Sequence, residues 1–251
     1  MCDLTRKVAL VTGGGRGIGR ACSLDLAKHR FDIALVDLIE DDLARTAGEL
    51  RALGRAALTF ITDVREHGRA AEIVADIDAQ WGRIDVLFNN AGRPMPKGIE
   101  EISEEEFDTT IDINLKSAFN YIQPVVPVMR RNGGGRIINM SSMNAHTGGV
   151  TSAVSRFSYT AAKAGILGMT KALAKELAPE IVVNAVCPGV IKTELSNAMI
   201  NAREEQLAAG ISLKRVGTPQ DVASVVTFLA TSEPNFMTGQ DIQIDGMQWV
   251  R

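Results

Sequence analysis

The chain has 251 residues, 45% of them hydrophobic and 23% charged, with a formal net charge of −3. That is ordinary globular composition, one domain spanning 1–251 is the economical reading, and interspersed charges leave no basic footprint for nucleic acid. No apolar stretch approaches the roughly 20 residues of a membrane helix, and Val8–Val11 is too short for a signal-peptide core, so a cytoplasmic protein is expected. The three cysteines (Cys2, Cys22 and Cys187) read as reduced thiols; with three histidines and no Cys-x-x-Cys, no metal site is expected.

Taken in chain order, β-branched runs alternate with amphipathic stretches. Lys7–Val11 is the first expected strand. It runs into Thr12-Gly13-Gly14-Gly15-Arg16-Gly17-Ile18-Gly19, where a helix over Gly17–His29 begins. Glycines permit a tight turn and let backbone N–H groups approach a pyrophosphate, which then meets the positive end of the helix. A Gly-rich turn alone is weak, but its place between the first strand and first helix of a β-α-β unit strengthens it. No Gly-Lys-Ser/Thr follows, against a P-loop nucleotidase.

The second strand, Asp32–Asp37, ends in a carboxylate about 20 residues past the glycines, placed to accept hydrogen bonds from the adenosine ribose hydroxyls. Asp37 would repel a 2′-phosphate, so NAD is expected over NADP. Arg16 either pairs with such a phosphate or lies exposed on the first helical turn. A helix over Asp41–Leu53 leads to the third strand, Ala57–Ile61, and then to Asp63-Val64, where a carboxylate can meet the adenine amino group. A helix over Arg69–Trp81 leads to the fourth, Ile84–Phe88, and then to Asn89-Asn90-Ala91-Gly92, small enough for backbone to lie near a cofactor. Each is a common loop former alone; their shared place after strands is the signal.

A long helix is expected over Glu104–Met129, then a fifth strand, Arg136–Met140, ending in Ser141-Ser142. Tyr159 and Lys163 follow, four apart on one face of a helix reaching Leu177. A neighbouring ammonium favours phenolate and so is expected to lower the tyrosine pKa from its usual value near 10. Only two tyrosines occur in the chain. Val182–Cys187 and Asp241–Ile244 are the last strands, with a helix over Pro219–Thr231. Strands without alternation, separated by helices, imply a parallel sheet covered on both faces: an α/β, doubly wound fold with its site at the carboxyl ends.

These motifs, in this order over nearly the whole chain, resemble the short-chain dehydrogenase/reductase family of compact, single-domain type. The match runs from Thr12-Gly13-x-x-x-Gly17-Ile18-Gly19 through Asn89-Asn90-Ala91-Gly92 and Tyr159-x-x-x-Lys163 to Pro188-Gly189, with Thr218-Pro219-Gln220-Asp221 and Thr238-Gly239-Gln240 in the tail. The resemblance implies a Rossmann fold and four catalytic residues. Tyr159 would be the acid/base, Lys163 would hold the nicotinamide ribose, Ser142 would bond the substrate oxygen, and Asn114 would position a water leading from Lys163 to solvent. It also implies that Ile191 and Thr193 contact the nicotinamide carboxamide, that 193–213 forms a substrate lid, and that the long helices pack into a homotetramer.

Tyr159 stands seventeen positions after Ser142, a wider interval than the family usually has, so residues are inserted within Met143–Ser158. Asn144, His146, Arg156 and Arg93 are the polar candidates for substrate contact. Two arginines hint at an anionic group, although both also suit the surface. The polar loops suggest a sugar, polyol or hydroxy acid, oxidised or reduced with NAD(H) at a secondary alcohol or ketone. The alternatives are an NADPH-dependent 3-oxoacyl-carrier-protein reductase, with Arg130-Arg131 as part of a docking surface, and a non-catalytic dinucleotide sensor.

Overall fold

A computed structural model describes residues 6–149, 155–194 and 197–249. Its seven strands are β1 (Lys7–Thr12), β2 (Phe31–Asp37), β3 (Ala57–Ile61), β4 (Val86–Asn89), β5 (Gly135–Met140), β6 (Ile181–Pro188) and β7 (Asp241–Ile244). All pair in parallel, in the order β3-β2-β1-β4-β5-β6-β7. The chain therefore lays β1 to β3 outward in one direction and returns to place β4 on the other side of β1. That reversal opens a crevice beyond the carboxyl ends of β1 and β4.

Helices cover both faces: α1 (Gly17–Lys28), α2 (Glu40–Ala52), α3 (His67–Trp81), α4 (Glu104–Ile111), α5 (Ser117–Arg131), α6 (Asn144–Thr147), α7 (Phe157–Leu177), α8 (Asn197–Ala209) and α9 (Pro219–Thr231). Alternate residues of β1 feed opposite cores. Val8 and Leu10 pack with Ile73, Ile77, Tyr121 and Val125, whereas Ala9 and Val11 pack with Cys22, Leu26, Val222 and Val226. Because both faces are buried, β1 needs apolar residues at every position, which is why its sequence shows no alternation.

The helix expected over Glu104–Met129 is instead α4, a π-helical turn over Asp112–Lys116, and α5. The cause lies at Asn114. Its Nδ2 donates to the Thr110 carbonyl one turn back (3.0 Å) and to the Arg93 carbonyl (2.9 Å). A side-chain amide competing for helix carbonyls locally loosens the regular ladder. Hydropathy period does not register such a one-residue widening.

A buried chain of amides and a hydroxyl fixes α7 to the sheet. Asn89 Nδ2 donates to Asn139 Oδ1 (2.9 Å), and Asn139 Nδ2 donates to Thr170 Oγ1 (3.0 Å). Asn139 is fully buried, and leaving buried polar partners unmade costs about 1–3 kcal/mol each. Asn139→Ala, which strands both Asn89 and Thr170, is expected to lower the unfolding free energy by about 2 kcal/mol or more. Urea denaturation followed by circular dichroism measures it; a loss below about 0.5 kcal/mol would remove the chain's structural role.

Candidate functional site

The glycine turn sits at the mouth of the crevice. Gly13 and Gly17 have φ of +63° and +56°, a region that favours glycine. A Cβ at Gly19 would lie 2.0 Å from the Gly13 carbonyl oxygen, so no larger residue fits there. The start of α1 has neither a side-chain cap nor an acidic residue in its first turn. Its leading N–H groups and positive end therefore suit an anion such as a pyrophosphate. Ile18 packs into the core beside α1.

Asp37, at the end of β2, turns back onto this turn. Its Oδ2 accepts from the Gly15 N–H (3.0 Å) and its Oδ1 from the Leu38 N–H (2.8 Å). Residues that spacing did not point to complete the wall: Thr46 donates to the Gly15 carbonyl (2.7 Å), and Asp42 pairs with Arg16 at 3.6 Å and Arg45 at 2.9 Å. Their only sequence signal is their place at the start of α2. Arg16 is thus neither free nor simply exposed.

The other strand ends serve partly as structure. Asn90 Nδ2 donates to the carbonyls of Thr12 and Gly13, both at 3.0 Å, while the N–H groups of Asn90 and Ala91 donate to Thr12 Oγ1. This staples β4 to β1 across the crevice. The Asp63 carboxylate is bonded by the Arg65 guanidinium, which holds it below the usual carboxylate range. Val64 is buried beside it. Gly92 lies against Asn114 and Lys163: a Cβ there would stand 2.9 Å from Asn114 Oδ1 and 3.4 Å from Lys163 Nζ. The Asn114 side chain is fully engaged with Arg93 and Thr110, since Oδ1 also accepts the Arg93 N–H at 3.1 Å.

Beyond β5, Ser141 and Ser142 diverge. Ser141 is buried, and its hydroxyl donates to the Lys163 carbonyl (2.8 Å), anchoring α7. Ser142 shares a side-chain hydrogen bond with Tyr159 and receives the Asn144 N–H at 3.2 Å. Lys163 is buried; Nζ donates to the Met140 carbonyl (2.8 Å) and lies 5.6 Å from the Tyr159 ring centre. Burial pushes Lys163 down to about 8. Burial also pushes Tyr159 upward, only partly opposed by its bond to Ser142. Desolvation, rather than the lowering expected from the ammonium, is the largest influence on Tyr159, and Lys163 is itself drawn toward neutrality.

At β6 the Pro188 carbonyl accepts the Met143 N–H (3.0 Å), and Gly189 donates to Ile244 (3.0 Å). Ile191 bridges to Gly217. Thr193 comes to lie beside Gly17 and borders a cavity of about 280 Å³ with Arg20, Lys192 and Glu194. α8 fills part of the expected lid and kinks at Arg203; residues 195 and 196 of that lid lie outside the described residues.

The substrate candidates disperse. Arg156 is exposed just before α7, its N–H bonded to the Met95 carbonyl (2.7 Å), and Arg93 is exposed on the loop after β4. Both flank the strand ends without converging on a defined anion site. His146 is turned toward β7: Nε2 lies 2.8 Å from Asp241 Oδ2, and the ring stacks on Trp249 at 5.5 Å. Residues 150–154 of the lengthened segment lie outside the described residues. Among the described residues, no helix is long and apolar enough to cross a membrane.

Comparison with known proteins gives kinship along the whole chain. A family model described as enoyl-(acyl carrier protein) reductase matches residues 13–246. The 3-oxoacyl-(acyl-carrier-protein) reductase of Staphylococcus epidermidis is 38% identical over 242 residues, covering 96% of this chain and 98% of that protein. The acetoacetyl-CoA reductase of Shinella zoogloeoides is 38% identical over 245 residues, covering 97% and 98%. Among solved structures, an actinorhodin polyketide ketoreductase with NADPH superposes with a TM-score of 0.91 at 31% identity, covering 99% of each chain.

Proposed function

The chain belongs to the short-chain dehydrogenase/reductase family, and we propose that it reduces 3-oxoacyl thioesters with NADH as the preferred donor. The family makes it an oxidoreductase with a nicotinamide dinucleotide cofactor. Near full-length kinship with reductases of 3-oxoacyl-carrier-protein and acetoacetyl-CoA supports the substrate class. The observation that carries the chemistry is Tyr159 set beside Ser142 and the buried Lys163, a phenol placed to give a proton.

The residues fit the dinucleotide. The Gly13–Gly19 turn and the uncapped α1 would hold its pyrophosphate, and Asp37 its adenosine ribose. Val64 and Asp63 would border the adenine, Ala91 and Gly92 the middle of the cofactor, and Pro188, Gly189, Ile191 and Thr193 the nicotinamide end. When bound, the nicotinamide supplies the hydride. As negative charge develops on the substrate oxygen, Tyr159 O–H donates its proton there and the Ser142 hydroxyl donates a second hydrogen bond. Lys163, as ammonium, would hold the cofactor's ribose hydroxyls, and Asn114 fixes the backbone against which Gly92 and Lys163 meet.

The NADH preference rests on Asp37. Its carboxylate lies beside Gly15, where a 2′-phosphate would meet like charge. Arg16 and Arg45 are both paired to Asp42. A second reading, oxidation or reduction of a small polar sugar, polyol or hydroxy acid with NAD(H), is favoured by the polar residues Asn144, Thr147 and Gly148 following Ser142.

Three measurements test these roles. Specificity constants for acetoacetyl-CoA with NADH should exceed those with NADPH and those for polyols, sugars and hydroxy acids with NAD(H). Faster use of NADPH would remove the Asp37 argument, and a preferred polyol would install the second reading. Tyr159→Phe should bind NADH normally by fluorescence titration while kcat falls by about 10³-fold or more; near-normal turnover would refute the mechanism. For the third, Lys163 is cationic below a pKa of about 8 and neutral above it, whereas Tyr159 keeps its proton well past that point. Reductive kcat/KM should therefore hold at neutral pH and decline above about pH 8. A profile flat to pH 10 would deny the ammonium its role.

A further inference from the structure

Beside the catalytic residues the fold gathers three donors of different chemistry. His146, Cys187 and Asp241 offer an imidazole nitrogen, a sulfur and a carboxylate oxygen, all within 4.8 Å of one another. They come from α6, β6 and β7. Ala185 pairs in register with Asp241, so Cys187, two residues on, shares its face of the sheet. Cys187 is wholly buried, and the His146 and Asp241 side chains are only 12% and 15% exposed.

The imidazole is not satisfied by this arrangement. His146 Nε2 is buried and stands 2.8 Å from Asp241 Oδ2, yet it makes no hydrogen bond of acceptable direction. Trp249 stacks on the ring and closes one side of the cluster. A buried nitrogen poised between a carboxylate and a thiol, without a directed bond to either, has the disposition of a metal ligand.

We propose that His146, Cys187 and Asp241 form a binding site for zinc, open at a fourth position, whose occupancy inhibits the reductase through Ser142. The donor set selects the ion: thiolate and imidazole favour zinc, whereas magnesium and calcium prefer oxygen alone. Zinc–ligand bonds of about 2.0–2.3 Å put tetrahedral donors roughly 3.5 Å apart. The His146–Asp241 pair, at 2.8 Å, therefore opens by a few tenths of an ångström, and any pair near the 4.8 Å limit closes by about an ångström, both within reach of side-chain rotation. Binding forms the Zn–S bond as the Cys187 S–H breaks, and one proton leaves to solvent.

Inhibition follows from what the ligands touch. Backbone bonds tie the segment around Ser142 to the strand on either side of Cys187: the Ser141 N–H donates to the Val186 carbonyl (2.8 Å) and the Met143 N–H to the Pro188 carbonyl (3.0 Å). His146 stands one helical turn after Ser142, and the Asn144 N–H between them bonds the Ser142 hydroxyl. Drawing in the sulfur and the imidazole therefore pulls on Ser142 from both sides.

The experiment uses the full chain carrying Cys2→Ser, which removes the N-terminal thiol as a rival ligand. Cobalt(II) serves as a spectroscopic probe and zinc as the inhibitor. One cobalt per chain with thiolate-to-cobalt charge-transfer absorption is expected, together with loss of turnover on adding equimolar zinc. Adding Cys187→Ser should abolish the band and the inhibition, and His146→Gln should weaken metal affinity by about tenfold or more. His146→Gln also covers the case in which Cys187→Ser fails to fold. No stoichiometric metal binding, a band that survives Cys187→Ser, or affinity unchanged in His146→Gln overturns the site; zinc binding without loss of turnover overturns the coupling to Ser142.

Discussion

The buried run Asn89–Asn139–Thr170 sets where α7 lies, and the rest of the site depends on it. Strand ends alone deliver Ser142 and Gly92 to one edge of the sheet. Tyr159 and Lys163 arrive on a separate helix, whose rotation and slide against β5 must be fixed to well under an ångström for proton transfer. Apolar packing tolerates small slips; directed amide bonds in a dry interior do not, because each broken one leaves a polar group without water. Ser141, bonded to the Lys163 carbonyl, adds a second pin on the same helix.

Desolvation then sets the charge state of the pair. Four-residue spacing puts Tyr159 and Lys163 on one helix face, and Coulomb's law between them would favour phenolate and ammonium. Burial opposes both charges at once, and in this site it wins for the tyrosine and drags the lysine to about 8. A phenol aided by Ser142 is suited to quench a developing alkoxide.

Much of this was legible in the chain because its signals are local. β-branched runs without alternation marked the doubly covered strands, and Gly13 to Gly19 marked a turn that only glycines can make. Tyr159 and Lys163 could be read from their four-residue spacing after β5, whereas Ser142 was separable from Ser141 only through the family resemblance. What escaped reading depends on contacts between distant segments. The π-helical turn at Asp112–Lys116 follows from Asn114 meeting Arg93, which no helical period records. Asp63 is claimed by Arg65, and Arg16 by Asp42, through side-chain geometry that spacing leaves open. The tyrosine's shift reversed sign because burial is a property of the assembled fold.

His146 makes the same point with a chemical consequence. In sequence it stands close to Ser142, which places it among substrate candidates. A single turn of α6 then directs the ring toward β7 and Trp249. The expectation that no metal site could be built rested on the lack of closely spaced His and Cys residues, a pattern needed only when ligands share one loop. A parallel sheet removes that need, since Asp241 on β7 pairs with Ala185 on β6, two residues from Cys187 on the same face, and His146 comes to them from α6. Ser142 is thus tied both to Tyr159 and, through the backbone bonds of Ser141 and Met143, to the strand that carries Cys187. Any force that moves the sulfur strains those bonds.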